Sequence, residues 1–289
     1  MLVWDVSPVF FKIGPLEIRY YALIFVAMML CGFYAWRWQM VRGGHPDAKA
    51  ERFALLGLLA VVLGARLGHV VFYEPGICLQ NPLRIFYFWE GGLASHGAAL
   101  GLIAALLYFA RREGLPFVEV ADRFSMSAAI GAFSVRIGNF MNSEVVGRNT
   151  DLPWAVKFPR SLYDHGLPLD QVPPRHPSQL YEAILGLGVL LILYLVDRRL
   201  REDRPAGLLA GLFLLLYFLG RFSLEVLKEW ETLSPETSPL TMGQYLSIPF
   251  ILLGGSLICR TWKKKTPSSF LQGVPASPAK GRKKARRKT

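Results

Sequence analysis

The stretch FVEVADRFSMSAAIGAFSV, Phe117 to Val135, decides the architecture. Its first half carries Glu119, Asp122 and Arg123, which are costly inside a hydrocarbon core, whereas Met126 to Val135 is apolar and small. Six other apolar runs surround it: Tyr20 to Trp38, Phe53 to Tyr73, Leu93 to Ala110, Leu180 to Val196, Gly207 to Phe222 and Tyr245 to Cys259. Each approaches the roughly 20 residues that a helix needs to cross a bilayer. Whether residues 117–135 are counted sets the parity of the spans, and with it the side on which every loop lies.

Charge resolves the parity. Lys and Arg gather in alternate connections: Arg37, Arg42, Lys49 and Arg52 in the first, Arg111 and Arg112 in the third, Arg198, Arg199, Arg201 and Arg204 in the fifth. The segments between them are poor in positive charge, with only Lys12 and Arg19 before the first span, Arg84 in the second connection and Lys228 in the sixth. The positive-inside rule then places the N-terminus outside and the C-terminus in the cytoplasm, which requires an odd number of spans. The expected fold is therefore an all-α, polytopic membrane helix bundle of seven transmembrane helices, with residues 136–179 as a long external loop. That loop holds five basic residues, but long loops weigh less in the rule. The spacings Gly64/Gly68, Gly97/Gly101 and Gly207/Gly211 suit close helix packing in lipid.

Composition agrees. Only 19% of the 289 residues are charged and 52% are hydrophobic, too apolar for a soluble domain, in which about 25% charge is usual. The net charge of +12 resides in residues 260–289, which carry eleven Lys/Arg and no Asp/Glu; the preceding 259 residues are nearly neutral. This tail is too polar to bury a core and reads as a solvated cytoplasmic extension beside an anionic leaflet. RNA binding by so basic a segment is the other reading, and it would say nothing of residues 1–259, which form the membrane-embedded domain. Cys31, Cys78 and Cys259 are widely separated and give neither a disulfide framework nor a metal spacing. No cleaved signal peptide is expected, because no small-residue cleavage site follows the first apolar run.

With the orientation set, the polar residues near the spans collect at the outer end. Tyr21, Arg66, His69, His96, Arg136, Asn139, His176, Gln179, Tyr181, Glu182, Arg221, Glu225 and Gln244 all fall there. Interfacial snorkelling explains a single arginine, but three arginines, three histidines and two glutamates at one depth point to a cavity lined for function. Arg66, Arg136 and Arg221 are permanent cations with planar donor forks suited to a phosphate. One of them pairing with Glu144 or Glu225 would instead be structural. His96, between Ser95 and Gly97, carries an imidazole, a side chain able to accept a proton from a nucleophile, although alone it reads as an interhelical hydrogen-bonding residue.

The segment Arg136-Ile137-Gly138-Asn139-Phe140-Met141-Asn142-Ser143-Glu144-Val145-Val146-Gly147-Arg148 resembles the signature of the prolipoprotein diacylglyceryl transferases. In order along residues 14–250 it is joined by Gly14-Pro15, Arg19-Tyr20-Tyr21, Gly64 to Gly68, Ser95-His96-Gly97, Arg175 to Glu182, Arg221-Phe222 with Glu225, and Met242 to Ser247. The resemblance implies a bacterial plasma-membrane transferase, multi-pass and with its active site toward the outer face. Its reaction would pass the diacylglyceryl group of phosphatidylglycerol to the lipobox cysteine thiol of a preprolipoprotein, forming a thioether and releasing glycerol phosphate. No cofactor, metal or nucleic acid is implied; the partners are phosphatidylglycerol, lipobox signal peptides and membrane lipids. By position, His96, Tyr21 and Arg221 take the catalytic roles, and Arg136, Asn139, Glu144, Gly147, Arg66 and Glu225 bind substrate. Whether His96 or an arginine-polarised network activates the thiol stays open. The chain departs from the family pattern at Val135 and Ala98, both usually glycine, and at Lys228, often arginine, which keeps charge without the bidentate fork. Competing readings are a transporter, which would carry paired repeats and polar groups through the full membrane depth, and a lipid-binding scaffold, which would need no proton acceptor.

Overall fold

The computed structural model describes residues 2–74, 76, 81–86, 92, 94–230 and 235–263. Cys78, the Glu90-Gly91 approach to the third apolar run with Leu93, and tail residues 264–289 lie outside the described residues.

Among the described residues seven long helices dominate: α1 (Tyr20–Arg42), α2 (Asp47–Tyr73), α3 (Ser95–Glu113), α4 (Phe117–Met141), α5 (Ser178–Leu200), α6 (Leu208–Leu224) and α7 (Met242–Lys263). Five of them, α1, α2, α5, α6 and α7, are long and apolar enough to cross a membrane. The charged first half of α4 is helical like the rest, continuous from Phe117 to Met141. Chain punctuation sets the ends. Gly114 closes α3 in the left-handed conformation, Pro116 precedes α4, and Thr241 with Gln244 forms a reciprocal capping box at the start of α7 (3.0 and 3.2 Å).

Packing follows residue size. Along α2, Leu55, Leu59, Leu63, Leu67 and Val71 recur at four-residue spacing and are all exposed, an apolar stripe that a soluble protein would hide. The opposite stripe is glycine. A Cβ on Gly64 would lie 2.5 Å from the carbonyl oxygen of Gly97, and one on Gly68 would lie 2.6 Å from the Gly97 Cα, so α2 and α3 touch backbone to backbone. One apolar cluster joins α1 to α4 through Trp36, Met40, Phe53, Phe109 and Val120. A second joins α4, α5 and α6 through Met126, Ala129, Val189, Leu193, Leu209 and Tyr217.

Five short strands occur in the segments before α1 and between α4 and α5, where backbone is free to pair outside hydrocarbon. β1 (Leu2–Val3) runs parallel to β4 (Val156–Lys157), which pairs with β5 (Pro174–Arg175); β2 (Val9–Ile13) and β3 (Leu16–Arg19) form a hairpin turned at Gly14 (φ 58°). The long loop is thus a folded cap. Phe140, Val146, Val156 and Phe158 make its own small core, onto which Trp4 packs while donating Nε1–H to the Phe140 carbonyl (3.0 Å). Buried Arg175 ties the cap together, reaching Asp164 (2.7 Å) and Glu229 (2.6 Å).

The expectation that polar groups keep to one end needs correction. At the other end a buried ionic cluster joins α1, α4, α5 and the connection that follows α5. Asp197 of α5 pairs with Arg42 and with Arg204 (3.0 Å); Arg123 of α4 pairs with Glu119 (3.0 Å) and Glu202 (3.1 Å). Asp122 accepts from the backbone N–H groups of Gly207 (2.6 Å) and Ala210 (2.8 Å), capping α6. The three charges that weakened residues 117–135 as a span are therefore each satisfied by a partner, and between the two polar ends lies the apolar cluster of α4, α5 and α6.

Candidate active site

The site begins at the C-terminal end of α4, where a helix on period 3.6 turns Arg136 and Asn139 to one face. The Arg136 Nη1–H donates to Asn139 Oδ1 (3.3 Å), and Asn139 Nδ2–H donates to Glu144 Oε2 (3.2 Å). Between them the chain makes a strained turn, with Ser143 (φ 55°) and β-branched Val145 (φ 56°) in the left-handed region. Hydrogen bonds hold that turn open: Ser178 Oγ–H donates to the Val145 carbonyl (2.8 Å) and Gln179 Nε2–H to the Glu144 carbonyl (2.7 Å). The consequence is an exposed Glu144 carboxylate, steadied by Asn139 and Asn142 (3.1 Å).

The centre is Glu182, one turn into α5 and wholly buried. Its carboxylate takes Arg136 Nε at 2.6 Å, Arg221 Nη1 at 3.7 Å, and the Lys228 ammonium. Lys228 also reaches Glu225 Oε2 (2.9 Å), whose carboxylate packs against Gly243 at the start of α7. Three segments thus converge on one buried acid of α5: α4, α6 and Lys228 just after the turn Glu225–Leu227. Three cations face two carboxylates, an excess of one positive charge in a water-poor setting, where an anion is bound strongly. Arg221 is the loosest and, at 23% side-chain exposure, the most accessible of the three. The hydroxyl of Tyr217, which lies one turn before it on α6, adjoins the Arg136 guanidinium.

The remaining expected residues take distinct places. Tyr21 packs against Gly138, where a Cβ would lie 2.6 Å from the ring, within the field of Glu144 and Arg136. Gly147 is a junction: its N–H donates to the His176 carbonyl (3.0 Å), it bridges to Lys228, and a Cβ there would lie 2.5 Å from His176 Cβ and 2.8 Å from the Leu227 oxygen. Arg66 is buried at the end of α2, donating to the Gly92 carbonyl (3.3 Å). His96 opens α3 as an exposed residue beside the rings of Phe72 (5.2 Å) and Tyr73 (5.9 Å). Among the described contacts, His96 and Arg66 belong to this α2–α3 side and Arg136, Asn139, Arg221 and Glu225 to the Glu182 side.

Two readings change. Arg136 and Arg221 find Glu182 as their ion-pair partner, where Glu144 or Glu225 had been the candidates. Lys228, which had only its charge to recommend it, is buried at the heart of the network. Tyr217 is not among the expected residues; Glu182 and Gln179 are expected at the polar end, and Lys228 is noted for its charge, without a role in the site. The available signal was cost: a carboxylate at membrane depth must find a cation, and Glu182 shares a helix face with Gln179.

Comparison with known proteins decides the family. The model of the prolipoprotein diacylglyceryl transferase family matches residues 8–260. The chain belongs to that family. Among similar proteins, the phosphatidylglycerol–prolipoprotein diacylglyceryl transferase of Bordetella parapertussis is 41% identical over 261 residues, covering 88% of this chain and 94% of the relative. The proteins of the same name from Tolumonas auensis (35% identical, 92% and 99% covered) and Cupriavidus pinatubonensis (38% identical, 94% and 98% covered) match over nearly their whole lengths. Each of these relatives is named as an enzyme acting on phosphatidylglycerol and a prolipoprotein. Nothing in the comparisons supports the transporter reading.

Proposed function

We propose that this chain transfers the diacylglyceryl group of phosphatidylglycerol to the thiol of a lipobox cysteine, the first step of bacterial lipoprotein maturation. The observation that carries the reading is the Glu182 network. It holds Arg136, Arg221 and Lys228 together with one positive charge in excess and leaves Arg221 accessible. Such a cluster suits the phosphate of an anionic lipid headgroup, and the family match supplies the lipid.

In the reaction the cysteine sulfur forms a bond to the glycerol carbon that bears the phosphate ester. The carbon–oxygen bond breaks, its electron pair leaves on glycerol phosphate, and the thiol proton passes to a base. Thiolate is the competent nucleophile, and a free thiol is mostly protonated at neutral pH. Arg136 and Arg221 hold the phosphate and stabilise the charge that grows on the departing oxygen. Tyr21 and Asn139 orient the headgroup, Glu144 and Glu225 set the arginines, Gly147 keeps the cap close, and Arg66 adds a cation from the other wall. His96 is assigned as the base, reached from the external side.

The accompanying topology has seven spans, α3 and α4 included, with the N-terminus outside and the Glu182 end facing outward in the bacterial plasma membrane. Residues 1–259 form the membrane domain and 260–289 a cytoplasmic tail; clients enter as lipobox signal peptides and the surrounding lipids as solvent.

The test incubates purified protein with phosphatidylglycerol and a lipobox peptide, following peptide mass and released glycerol phosphate. Wild type is expected to add a diacylglyceryl mass, lost in Arg136→Ala and in His96→Ala. No mass gain with folded wild type overturns the activity; full activity in His96→Ala moves the base elsewhere.

A further inference from the structure

At the end of the bundle away from Glu182, α1 and α5 both pack on α4 and scarcely on each other. The gap is a groove of about 530 Å³. Met126 of α4 forms its floor, and Leu187 and Leu191 of α5 form its wall. Its far end is closed by Trp38 and Tyr194, whose rings face across from α1 to α5 at 6.3 Å, and by Arg198. An apolar groove of this size at membrane depth does not hold water. In a bilayer such a groove is open to acyl chains.

The order of side chains says more. From the middle of α5 toward Leu200 come three leucines, then an aromatic pair, then a cation, the same sequence of environments that a phospholipid presents as chain, glycerol and phosphate. Arg198 is the arginine that lines the groove. Of those nearby, Arg42 pairs with Asp197 and stacks over Trp38 (4.6 Å), Arg123 and Arg204 also hold carboxylates, and Arg199 and Arg201 lie outside the lining. Arg198 is exposed and ion-paired to no described residue. We propose that this groove is a second, non-catalytic lipid site that selects an anionic phospholipid, with the chain along Leu187 and Leu191 and the phosphate on Arg198. Arg198 follows Glu182 by sixteen residues, so the phosphate sits ~24 Å along α5 from the network, beyond the reach of a headgroup held by Arg221. The inference rests on α1 and α5 spanning the membrane; it does not depend on the transferase reaction.

A photo-crosslinking residue at Leu191, in protein reconstituted with equal mole fractions of phosphatidylglycerol and phosphatidylcholine, reads the occupant directly by mass. Phosphatidylglycerol adducts are expected to exceed phosphatidylcholine adducts about fivefold, the discrimination of one basic side chain at a membrane surface. The preference should vanish in Arg198→Ala at unchanged total adduct, persist in Arg198→Lys, and survive Arg136→Ala. Equal labelling of the two lipids, a preference that outlives Arg198→Ala, or crosslinks to a second copy of the chain would each overturn the proposal. Transfer activity measured on the same preparations separates failure here from failure of the catalytic reading.

Discussion

Replacing Glu182 by glutamine tests the site at its centre. The substitution keeps the shape and one acceptor but removes the charge that Arg136 at 2.6 Å, Arg221 at 3.7 Å and Lys228 share. Glu182 is wholly buried and Lys228 nearly so, so the ammonium cannot turn to water for relief. Breaking a buried ion pair from one side costs about 3–5 kcal/mol, because the orphaned charge stays in the interior. Glu225 still holds Lys228 at 2.9 Å, which places the expected loss near the low end, about 3 kcal/mol. Transfer should fall about 100-fold or more as the guanidiniums lose their setting. The decisive assay is a double-mutant cycle with Lys228→Met, scored by unfolding in detergent. Removing both charges should cost about 1–3 kcal/mol less than the sum of the single changes, since the second removal relieves the first. Additivity within about 0.5 kcal/mol would refute the direct pairing and with it the account of how the cations are held.

Gly147→Ala places a methyl 2.5 Å from His176 Cβ and 2.8 Å from the Leu227 oxygen, and overpacking of that kind costs about 1–3 kcal/mol; a lowered melting point with reduced transfer is expected. Asp122→Ala removes the acceptor of the Gly207 and Ala210 N–H groups and should destabilise the protein by about 1–2 kcal/mol without changing the affinity for lipid, read by thermal unfolding beside a transfer assay. Burial holds the His176 imidazole below its ordinary titration range, so the unfolded chain binds the extra proton first. Its contribution is present above pH about 6.5 and drains away as pH falls through the folded value; His176→Gln should flatten the acid side of the stability profile, and an unchanged slope would count against the assignment.

The helices were legible because bilayer thickness imposes a length, and the punctuation at Gly114, Pro116 and Thr241 marks their ends. The signature residues Arg136, Asn139 and Glu144, close together in sequence across the end of α4, fall into one hydrogen-bonded chain. Partners distant in sequence were not legible. Glu182 lies 46 residues after Arg136 and 46 before Lys228, and nothing local states that the three meet. The cluster of Arg42, Glu119, Arg123, Asp197 and Glu202 escaped for the same reason: each charge looks like a flaw in its own helix until the others are alongside. The folded cap was hidden because its core residues, Phe140, Val146, Val156 and Phe158, follow no single period.

Helix α5 is pinned at both ends, by Glu182 at one and Asp197 at the other, fifteen residues or ~22 Å apart. A slide of even one helical step would pull both acids from their cations at once, so the rod cannot creep up or down to suit its surroundings. In a thinner or thicker bilayer the usual remedy of shifting a helix along its axis is closed, and adjustment must come from tilting the whole bundle or from deforming the lipid. The arginines around Glu182 then keep a constant height above the bundle's midplane, and it is the membrane that moves to meet them.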